Sequence, residues 1–419
     1  MSRLVVYLNG QRTGLLSQAE DAVPTFSYDP SYLTAQGAAP LSRQLPLQAQ
    51  PFAGRVVRAF FGGILPEADV RSQVASILGI SAENDMGMME RIGGECAGAV
   101  ALFPPEIAPA LSGTSRQQWL SEEELASVIR ELPRHPLLAG REGIRLSLAG
   151  AQTKVPIVLP AAGFRAPGVA ALPLDGTPST HIIKPEPARF PGLAANEAYC
   201  MALARAVGLS AAETEWRMIG DTPCLIIRRY DRTESPDGTI TRSHQEDFCQ
   251  AMGILAEHKY QQEGGPSLPD CIALLRSWST VPVLDVRAFL DAVIFGALIG
   301  NADAHGKNFS FLYAQDSRRL APLYDQVCTM AWPELSQSLS MKIGSAATLS
   351  EISPEHFLQL ASRSGLSAPL TRERLADMSE RIYEAASSNQ LHIPEQPSLE
   401  NLRTLILARA ERMTHLLKR

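Results

Sequence analysis

One polar loop in this 419-residue chain combines residue types that phosphoryl transfer requires. Asp303 and Asn308 stand five positions apart, which is the spacing of Asp and Asn in the catalytic loop of protein kinases. The His-Arg pair that precedes the Asp in those loops is absent. An apolar run, Phe289 to Ile299, comes before the loop and the alternating stretch Phe309 to Tyr313 follows it, which predicts the order helix, loop, strand.

A second carboxylate, Asp325, follows the apolar stretch Leu320 to Tyr324. The polar residues 315–319 separate that stretch from Phe309 to Tyr313 and predict a hairpin, which would carry Asp325 back beside Asn308. Asp325 and Asn308 can then serve as oxygen ligands for magnesium, and Asp303 as the carboxylate beside the incoming hydroxyl. The same residue types also form turns and caps, so the spacing alone leaves both interpretations open.

Upstream, the chain carries the parts of a nucleotide site in kinase order. The small-residue loop Ser147 to Lys154 leads into a predicted strand, Val155 to Leu159, and small residues let backbone N–H groups approach phosphates. A second predicted strand ends at Lys184, and a helix bearing Glu197 follows. Lys184 can pair with phosphates and with Glu197. Taken singly, the loop is equally a surface turn and the lysine a solvated edge residue.

Composition describes an ordinary globular chain, with 45% hydrophobic and 20% charged residues. The formal net charge of −6 argues against a broadly basic surface that coats nucleic acid. Six cysteines lie scattered without a Cys-x-x-Cys pair, which favours reduced, buried thiols. The N-terminus lacks a signal-peptide pattern and no apolar run reaches membrane-spanning length, so a cytoplasmic location is predicted.

The pattern of elements predicts three parts: a β-rich unit at 1–110, a nucleotide-binding lobe at 111–243 and a helical catalytic lobe at 244–419. The proline-containing loop Pro104 to Gly113 marks the first boundary. Ser121 with Glu124 predicts a capped helix that ends near Leu132. A second helix is predicted from Asn196, its expected N-cap, to Val207.

Six stretches in the same order along the chain carry a family resemblance: Phe60 to Glu67, Ile92 to Val100, Ser147 to Lys154, Thr180 to Lys184, His244 to Gln250 and Gly300 to Asn308. In these the chain resembles the HipA family of bacterial toxin kinases, the toxin partners of type II toxin–antitoxin modules. The resemblance implies an α/β (α+β) class, with a two-lobed, protein-kinase-like fold, an N-terminal β-rich coupling subdomain and a helical C-terminal lobe. It assigns no chemical role to His244 to Gln250.

The resemblance also implies roles for individual residues. Asp303 matches the catalytic Asp, Asn308 and Asp325 match the magnesium ligands, and Ser147 falls where members of the family autophosphorylate and thereby silence themselves. The ATP-binding residues implied are Ala149, Gly150, Ala151, Gln152, Lys154, Lys184, Arg228, Arg229, Tyr230, His305, Lys307 and Asn308. This chain has Arg228 where a well-known member has Glu, so the side-chain contact of that member does not carry over. Residues 228–230 would therefore act through their backbone.

The activity implied is that of an ATP- and Mg²⁺-dependent serine/threonine protein kinase. The implied target is an aminoacyl-tRNA synthetase, glutamyl-tRNA synthetase foremost, whose phosphorylation would stop translation and lead to growth arrest and persistence. The implied partner is a small helix-turn-helix, HipB-like antitoxin that makes most of the contact with operator DNA, and no membrane is involved. Two alternatives stay open: a non-catalytic co-repressor subunit and a small-molecule kinase on a related fold.

Overall fold

The computed structural model describes residues 2–19, 23–107, 116–160, 163, 169–314, 317–388, 391 and 396–418. Residues 108–113 of the expected boundary loop and residues 315–316 of the expected hairpin turn lie outside these ranges. The chain divides into two compact units. Unit 1 comprises Met1–Pro185, Arg217–Glu257 and Leu312–Ala314, and unit 2 comprises Glu186–Trp216, His258–Phe311 and Gln315–Arg419.

The structure is a mixture of strands and helices. The strands are β1 (Ser2–Leu8), β2 (Gln11–Gln18), β3 (Thr25–Tyr28), β4 (Phe52–Ala53), β5 (Val100–Phe103), β6 (Arg116–Leu120), β7 (Val155–Ile157), β8 (Ala170–Leu174), β9 (His181–Pro185), β10 (Thr214–Ile219), β11 (Thr222–Arg228), β12 (Arg232–Glu234), β13 (Ile240–Arg242), β14 (His244–Asp247), β15 (Ser310–Ala314), β16 (Ser317–Leu320), β17 (Ser338–Ile343) and β18 (Ala346–Thr348). The helices are α1 (Pro30–Leu33), α2 (Arg55–Gly62), α3 (Ala68–Leu78), α4 (Asp85–Ile92), α5 (Glu122–Glu131), α6 (Leu193–Ala206), α7 (Phe248–Met252), α8 (Leu268–Trp278), α9 (Pro282–Ile299), α10 (Pro354–Ser364), α11 (Ala368–Ser387) and α12 (Pro397–Leu417).

Two of the antiparallel sheets in unit 1 are the five-stranded sheet near the N-terminus and the sheet that carries Lys184. The first has the order β4-β3-β2-β1-β5, and its β1–β2 hairpin turns at Asn9 and Gly10, both of which have positive φ. In the second, β9 pairs with β7 on one side and with β11 on the other. Buried side chains such as Leu16, Phe26 and Ile183 belong to the hydrophobic core of this unit.

Unit 2 is built around the apolar helix α9, which leads into the polar loop. Phe289 on α9 packs edge-on against Phe309, with ring centroids 4.8 Å apart. Gly300 ends the helix in the left-handed conformation, at φ 78°. Arg409 on α12 donates to the Ala297 carbonyl near that end, from Nη2 at 2.6 Å. The end of the helix, and hence the start of the polar loop, is therefore held in place.

Two predicted helices have different outcomes. The helix from Ser121 is confirmed as α5, with Ser121 as its N-cap and a reciprocal capping box with Glu124. The prediction of Asn196 as an N-cap is wrong: α6 begins at Leu193 with Gly192 as its N-cap. Glu186 Oε2 instead accepts the backbone N–H of Ala194 at the start of this helix, at 3.2 Å.

The described residues include no helix that is long and apolar enough to cross a membrane.

The motif His244 to Gln250 holds the N-terminal part of unit 1 together. Gln250 donates to the Phe60 carbonyl at 2.8 Å. The buried carboxyl of Glu246 accepts from the Ser42 hydroxyl at 2.6 Å, from the Arg43 backbone at 3.1 Å and from the Tyr313 hydroxyl. Burial raises the pKa of Glu246 to about 7 although these hydrogen bonds lower it. The motif is therefore structural, which explains why no chemistry could be assigned to it.

We predict that the free energy of unfolding of the wild type falls, relative to Glu246→Gln, as the pH rises from 4.5 to about 7. The folded protein holds the Glu246 proton more tightly than the unfolded chain does, so this stabilisation is complete below pH 4.5 and is lost as the carboxyl ionises. The loss is on the order of 3 kcal/mol. Urea titrations across this range measure it.

Glu131→Gln, which changes a half-exposed carboxyl on α5, is the matched control and should keep the wild-type pH dependence. If the curves for wild type and Glu246→Gln run parallel, the titration of Glu246 is excluded.

Candidate functional site

Backbone hydrogen bonds from two other segments hold the first half of the small-residue loop of unit 1. The N–H of Ser147 donates to the Glu95 carbonyl at 2.9 Å, and the N–H of Glu67 donates to the Gly150 carbonyl at 3.2 Å. Gly150 has φ 106°, which a residue with a side chain rarely adopts. Lys154 Nζ donates back to the Ala149 carbonyl at 2.6 Å. The loop is therefore a closed turn with its geometry set from outside.

Ser147 is fully buried in this arrangement. Its hydroxyl donates to the Ile64 carbonyl at 3.0 Å. A phosphate has acceptor oxygens but no donor for that carbonyl, so a phosphorylated Ser147 cannot keep this position.

A buried ion network around Glu95 fixes the segments on either side of the loop. Glu95 Oε1 accepts from Arg229 Nη1 at 3.0 Å and from Arg232 Nη2 at 2.8 Å. Oε2 accepts from Arg242 Nη2 at 2.6 Å. The backbone and hydroxyl of Ser179 also donate to Oε1. Burial alone would raise the pKa of Glu95, but the three arginines hold it well below its ordinary value.

The segment Arg228 to Tyr230 follows β11. Arg228 is exposed, whereas all five N–H groups of the Arg229 guanidinium are committed within unit 1. They donate to Asp231, Glu95, Ser179 and the Cys96 carbonyl. The Arg229 side chain thus has no donor left for a nucleotide, in keeping with the expectation that this segment would act through its backbone. Lys184 is buried on β9, where it pairs in register with Leu225.

In unit 2 the polar loop leaves Asp303 exposed to solvent, with hydrogen bonds to its backbone and to its carboxylate. Asn301 Oδ1 accepts the N–H of Asp303 at 2.9 Å. Ser340 donates to the Ala302 carbonyl at 2.9 Å and lies 3.4 Å from Asp303 Oδ1. The backbone and carboxylate of Asp303 are therefore oriented by neighbours that the polar loop and β17 provide.

Desolvation by the surrounding groups raises the pKa of the Asp303 carboxyl above its ordinary value, although the residue as a whole is exposed. The positive charge of Lys259 and hydrogen bonds from Tyr260 and Ser340 oppose the rise, while the negative charge of Asp325 adds to it. Tyr260 also meets the ring of His305 edge-on, with centroids 5.3 Å apart. A raised pKa brings a carboxylate closer to the range in which it can accept a proton from a hydroxyl.

Both predicted metal ligands lie in unit 2, where the residues that precede them are hydrogen-bonded to each other. Tyr324, which precedes Asp325, donates to the carbonyl of Lys307, which precedes Asn308, at 2.7 Å. Asn308 Oδ1 is buried and accepts no hydrogen bond within the described part of the chain. Asp325 adopts φ 53°, an uncommon conformation for a residue with a side chain. An amide oxygen without a donor and a carboxylate on the hydrogen-bonded segment fit magnesium, which accepts few protein oxygens when phosphates supply others.

The described residues contain no group of three or more His, Cys, Asp or Glu side chains that could hold a metal ion. A site of one carboxylate and one amide, completed by a nucleotide, does not require such a group.

The structure divides the predicted site residues between the two units. Asp303, His305, Lys307, Asn308 and Asp325 belong to unit 2, and His305, Lys307 and Asn308 are buried there. The loop 147–154, Lys184 and the segment 228–230 belong to unit 1.

Sequence reasoning missed Glu95, Lys259, Tyr260 and Ser340. Glu95 lies in a stretch that carried the family resemblance, but its arginine partners are 134 to 147 positions away. Lys259 and Tyr260 lie in a loop before α8 with no motif spacing to Asp303. Only a fold could bring these side chains to their partners.

Comparisons with known proteins place this geometry in a family. Residues 4–103 match the HipA N-terminal domain and residues 146–389 match the HipA-like C-terminal domain. The chain belongs to the HipA family. It is 44% identical over 387 residues to the putative kinase Y4mE of Sinorhizobium fredii, covering 92% of this chain and 91% of that protein. It is 28% identical over 394 residues to the serine/threonine-protein kinase toxin HipA of Shewanella oneidensis, covering 90% and 88%.

A comparison with a solved structure agrees with membership of the HipA family. The chain matches HipA of Shewanella oneidensis, from a complex of HipA, HipB and operator DNA, with a TM-score of 0.86 at 25% identity, covering 99% of this chain and 98% of that one. The kinase-like α/β fold predicted from the sequence is confirmed, as is membership of the HipA family. The naming of these HipA-family relatives as kinases supports kinase activity for this chain.

We predict that Lys259→Met moves the acid limb of the pH profile of kcat/KM to higher pH. Lys259 lowers the pKa of Asp303 by its charge, so its loss raises that pKa and leaves less carboxylate at a given acidic pH. The measurement is the rate of phosphate transfer between pH 5 and pH 9 (roughly the range in which such limbs are resolved).

Lys342→Met, at an exposed position on β17, serves as the control and should leave the limb where it is. An unmoved limb in Lys259→Met would show that Lys259 does not act on the base.

Proposed function

We propose that this HipA-family protein transfers the γ-phosphate of ATP to a serine or threonine hydroxyl of a protein. The observation that carries the proposal is the state of Asp303: a solvent-accessible residue whose carboxyl is hydrogen-bonded by Ser340, has a pKa raised by desolvation and lies within electrostatic range of Asp325. Such a group suits the acceptance of a proton from an incoming hydroxyl.

Four residues of the polar loop, together with Asp325, have a role in this proposal. Asp303 accepts the hydroxyl proton and orients the nucleophile. Asn308 and Asp325 would hold Mg²⁺, which would neutralise charge on the ATP phosphates when bound. Lys307 and His305 lie in the same loop and would face the phosphates.

The nucleotide side rests on unit 1. The backbone N–H groups of residues 149–152 would cradle phosphate oxygens, with Lys154 and Lys184 supplying positive charge. The backbone of residues 228–230 would meet the adenine. The N–H of Arg229 already donates to the Thr180 carbonyl at 3.0 Å, so this N–H is not the group that would meet the adenine.

Autophosphorylation at Ser147 would silence the enzyme. The hydroxyl has to leave its buried bond to Ile64 before it can be phosphorylated, and the phosphorylated side chain cannot return. The loop 147–154 would then be displaced from its pinned form and would no longer bind ATP. In this proposal, autophosphorylation inactivates the enzyme because the closed turn of residues 147–154 is lost.

The proposals for a partner and a target rest on the relatives of this chain rather than on the geometry of the site. The kinship with a named toxin kinase, and with HipA from a complex with HipB and operator DNA, supports a HipB-like antitoxin as the partner and operator DNA bound mainly through it. For a target we propose an aminoacyl-tRNA synthetase, glutamyl-tRNA synthetase first, with arrest of translation, growth arrest and persistence. We also propose a cytoplasmic location and retain the three-part division at residues 110 and 243.

We predict that purified protein incubated with ATP and Mg²⁺ gains one phosphate on Ser147, and that Asp303→Asn gains none. The substitution keeps the shape of Asp303 but removes its ability to accept a proton, so phosphate transfer should fall by at least about a hundredfold. Intact mass measurement and peptide mapping record both results.

Asp377→Asn, which changes a partly exposed carboxylate on α11, is the matched control and should be phosphorylated like the wild type. Undiminished transfer by Asp303→Asn would overturn the assignment of the base. ATP binding without any transfer, with or without a lysate of protein substrates, would favour a non-catalytic co-repressor, and transfer to metabolites alone would favour a small-molecule kinase.

A further inference from the structure

The segment that carries Asp325 is tied at both ends to α6 and to the residues that follow it. At one end the N–H of Leu323 donates to the Ser210 carbonyl at 2.8 Å, and the N–H of Ala212 donates to the Leu323 carbonyl at 2.9 Å. At the other end the backbone of Cys328 is hydrogen-bonded to the side chain of Asn196. Asp325 lies between these anchors in its left-handed conformation. An uncommon backbone conformation persists where its surroundings hold it from several sides.

Asn196 clamps Cys328 through both halves of its side-chain amide. Nδ2 donates to the Cys328 carbonyl at 3.1 Å, and Oδ1 accepts the Cys328 N–H at 2.9 Å. Asn196 is buried in the second turn of α6, where it has no capping duty because Gly192 is the N-cap. A side chain that both donates and accepts is needed for this contact, since a carboxylate lacks the donor and an aliphatic residue lacks both.

The next residue, Thr329, extends the connection to the loop that holds the base. Its hydroxyl donates to the Gly300 carbonyl at 3.1 Å and accepts the N–H of Ala302, which precedes Asp303, at 3.0 Å. Thr329 is buried. One continuous set of hydrogen bonds therefore runs from α6 through residues 328 and 329 to the start of the polar loop.

We propose that Asn196 and Thr329 are positioning residues. They hold the metal ligand Asp325 and the polar loop in fixed positions relative to α6. This inference rests on the proposed function, because that function makes Asp325 a metal ligand and Asp303 the base. Without the clamp at Cys328, or without the hydroxyl between Gly300 and Ala302, the segment is free to leave the left-handed conformation at Asp325. The Asp325 carboxylate then loses the position that its surroundings set, and the affinity for the metal falls.

The test measures Mn²⁺ binding by electron paramagnetic resonance, at saturating concentration of a non-hydrolysable ATP analogue. Asn196→Ala and Thr329→Val should each bind Mn²⁺ about tenfold more weakly than the wild type, the effect expected when a group that orients a metal ligand is removed. Affinity for the analogue without metal should stay within about twofold, because the residues implied in binding it from unit 1 are untouched.

Two controls separate positioning from stability. Thr329→Ser keeps the hydroxyl and should restore wild-type Mn²⁺ affinity. Ser379→Ala removes another buried hydroxyl of unit 2, one that donates to the Leu375 carbonyl within α11, and should lower the unfolding temperature without changing Mn²⁺ affinity. If Asn196→Ala does not fold, Thr329→Val against Thr329→Ser decides the question.

The outcomes are distinct for the two proposals. Wild-type Mn²⁺ affinity in folded Asn196→Ala and Thr329→Val, with only their unfolding temperature lowered, overturns the positioning role and leaves the kinase proposal intact. Absence of Mn²⁺ binding by the wild type in the presence of the analogue overturns the metal site of the proposed function and this inference with it. A tenfold loss in both variants with rescue by Thr329→Ser supports the inference.

Discussion

The nucleotide-side architecture of unit 1 depends on one buried carboxylate. Glu95 faces Arg229, Arg232 and Arg242 with its side chain and receives the Ser147 N–H with its backbone carbonyl. Such a network is costly to desolvate and is stable only when complete, because removing one member leaves the others buried without a partner. The small-residue loop and the segment after β11 are thereby set relative to each other by charge, before any nucleotide arrives.

Unit 2 solves the same problem with neutral hydrogen bonds. Asn196 and Thr329 hold the segment after Asp325, and Asn301 and Ser340 orient the base loop. The pKa of Asp303 is raised because desolvation outweighs the charge of Lys259 and the hydrogen bonds from Tyr260 and Ser340.

The elements that carry the motifs could be predicted from the sequence because their signals are local. The apolar run before the polar loop became α9, and Ser121 with Glu124 became a capping box. The helix start at Asn196 was wrong because a local rule assigns an Asn to a cap, whereas its tertiary partner Cys328 is 132 positions away. Glu95 shows the same limit: its motif could be matched, but its three arginines are joined to it only by folding. The spacing of Asp303 and Asn308 indicated the chemistry, while the residues that tune it, Lys259 and Tyr260, left no pattern.

Amide hydrogen exchange in Glu95→Gln tests most directly whether the ion network sets the small-residue loop. The substitution leaves three buried arginines facing a neutral amide and should cost on the order of 3–5 kcal/mol. We predict faster exchange at the amides of Ser147 and Ser179, which donate to Glu95, with exchange in α11 unchanged under conditions where the protein stays folded. Wild-type protection at Ser147 and Ser179 in this variant would contradict the account.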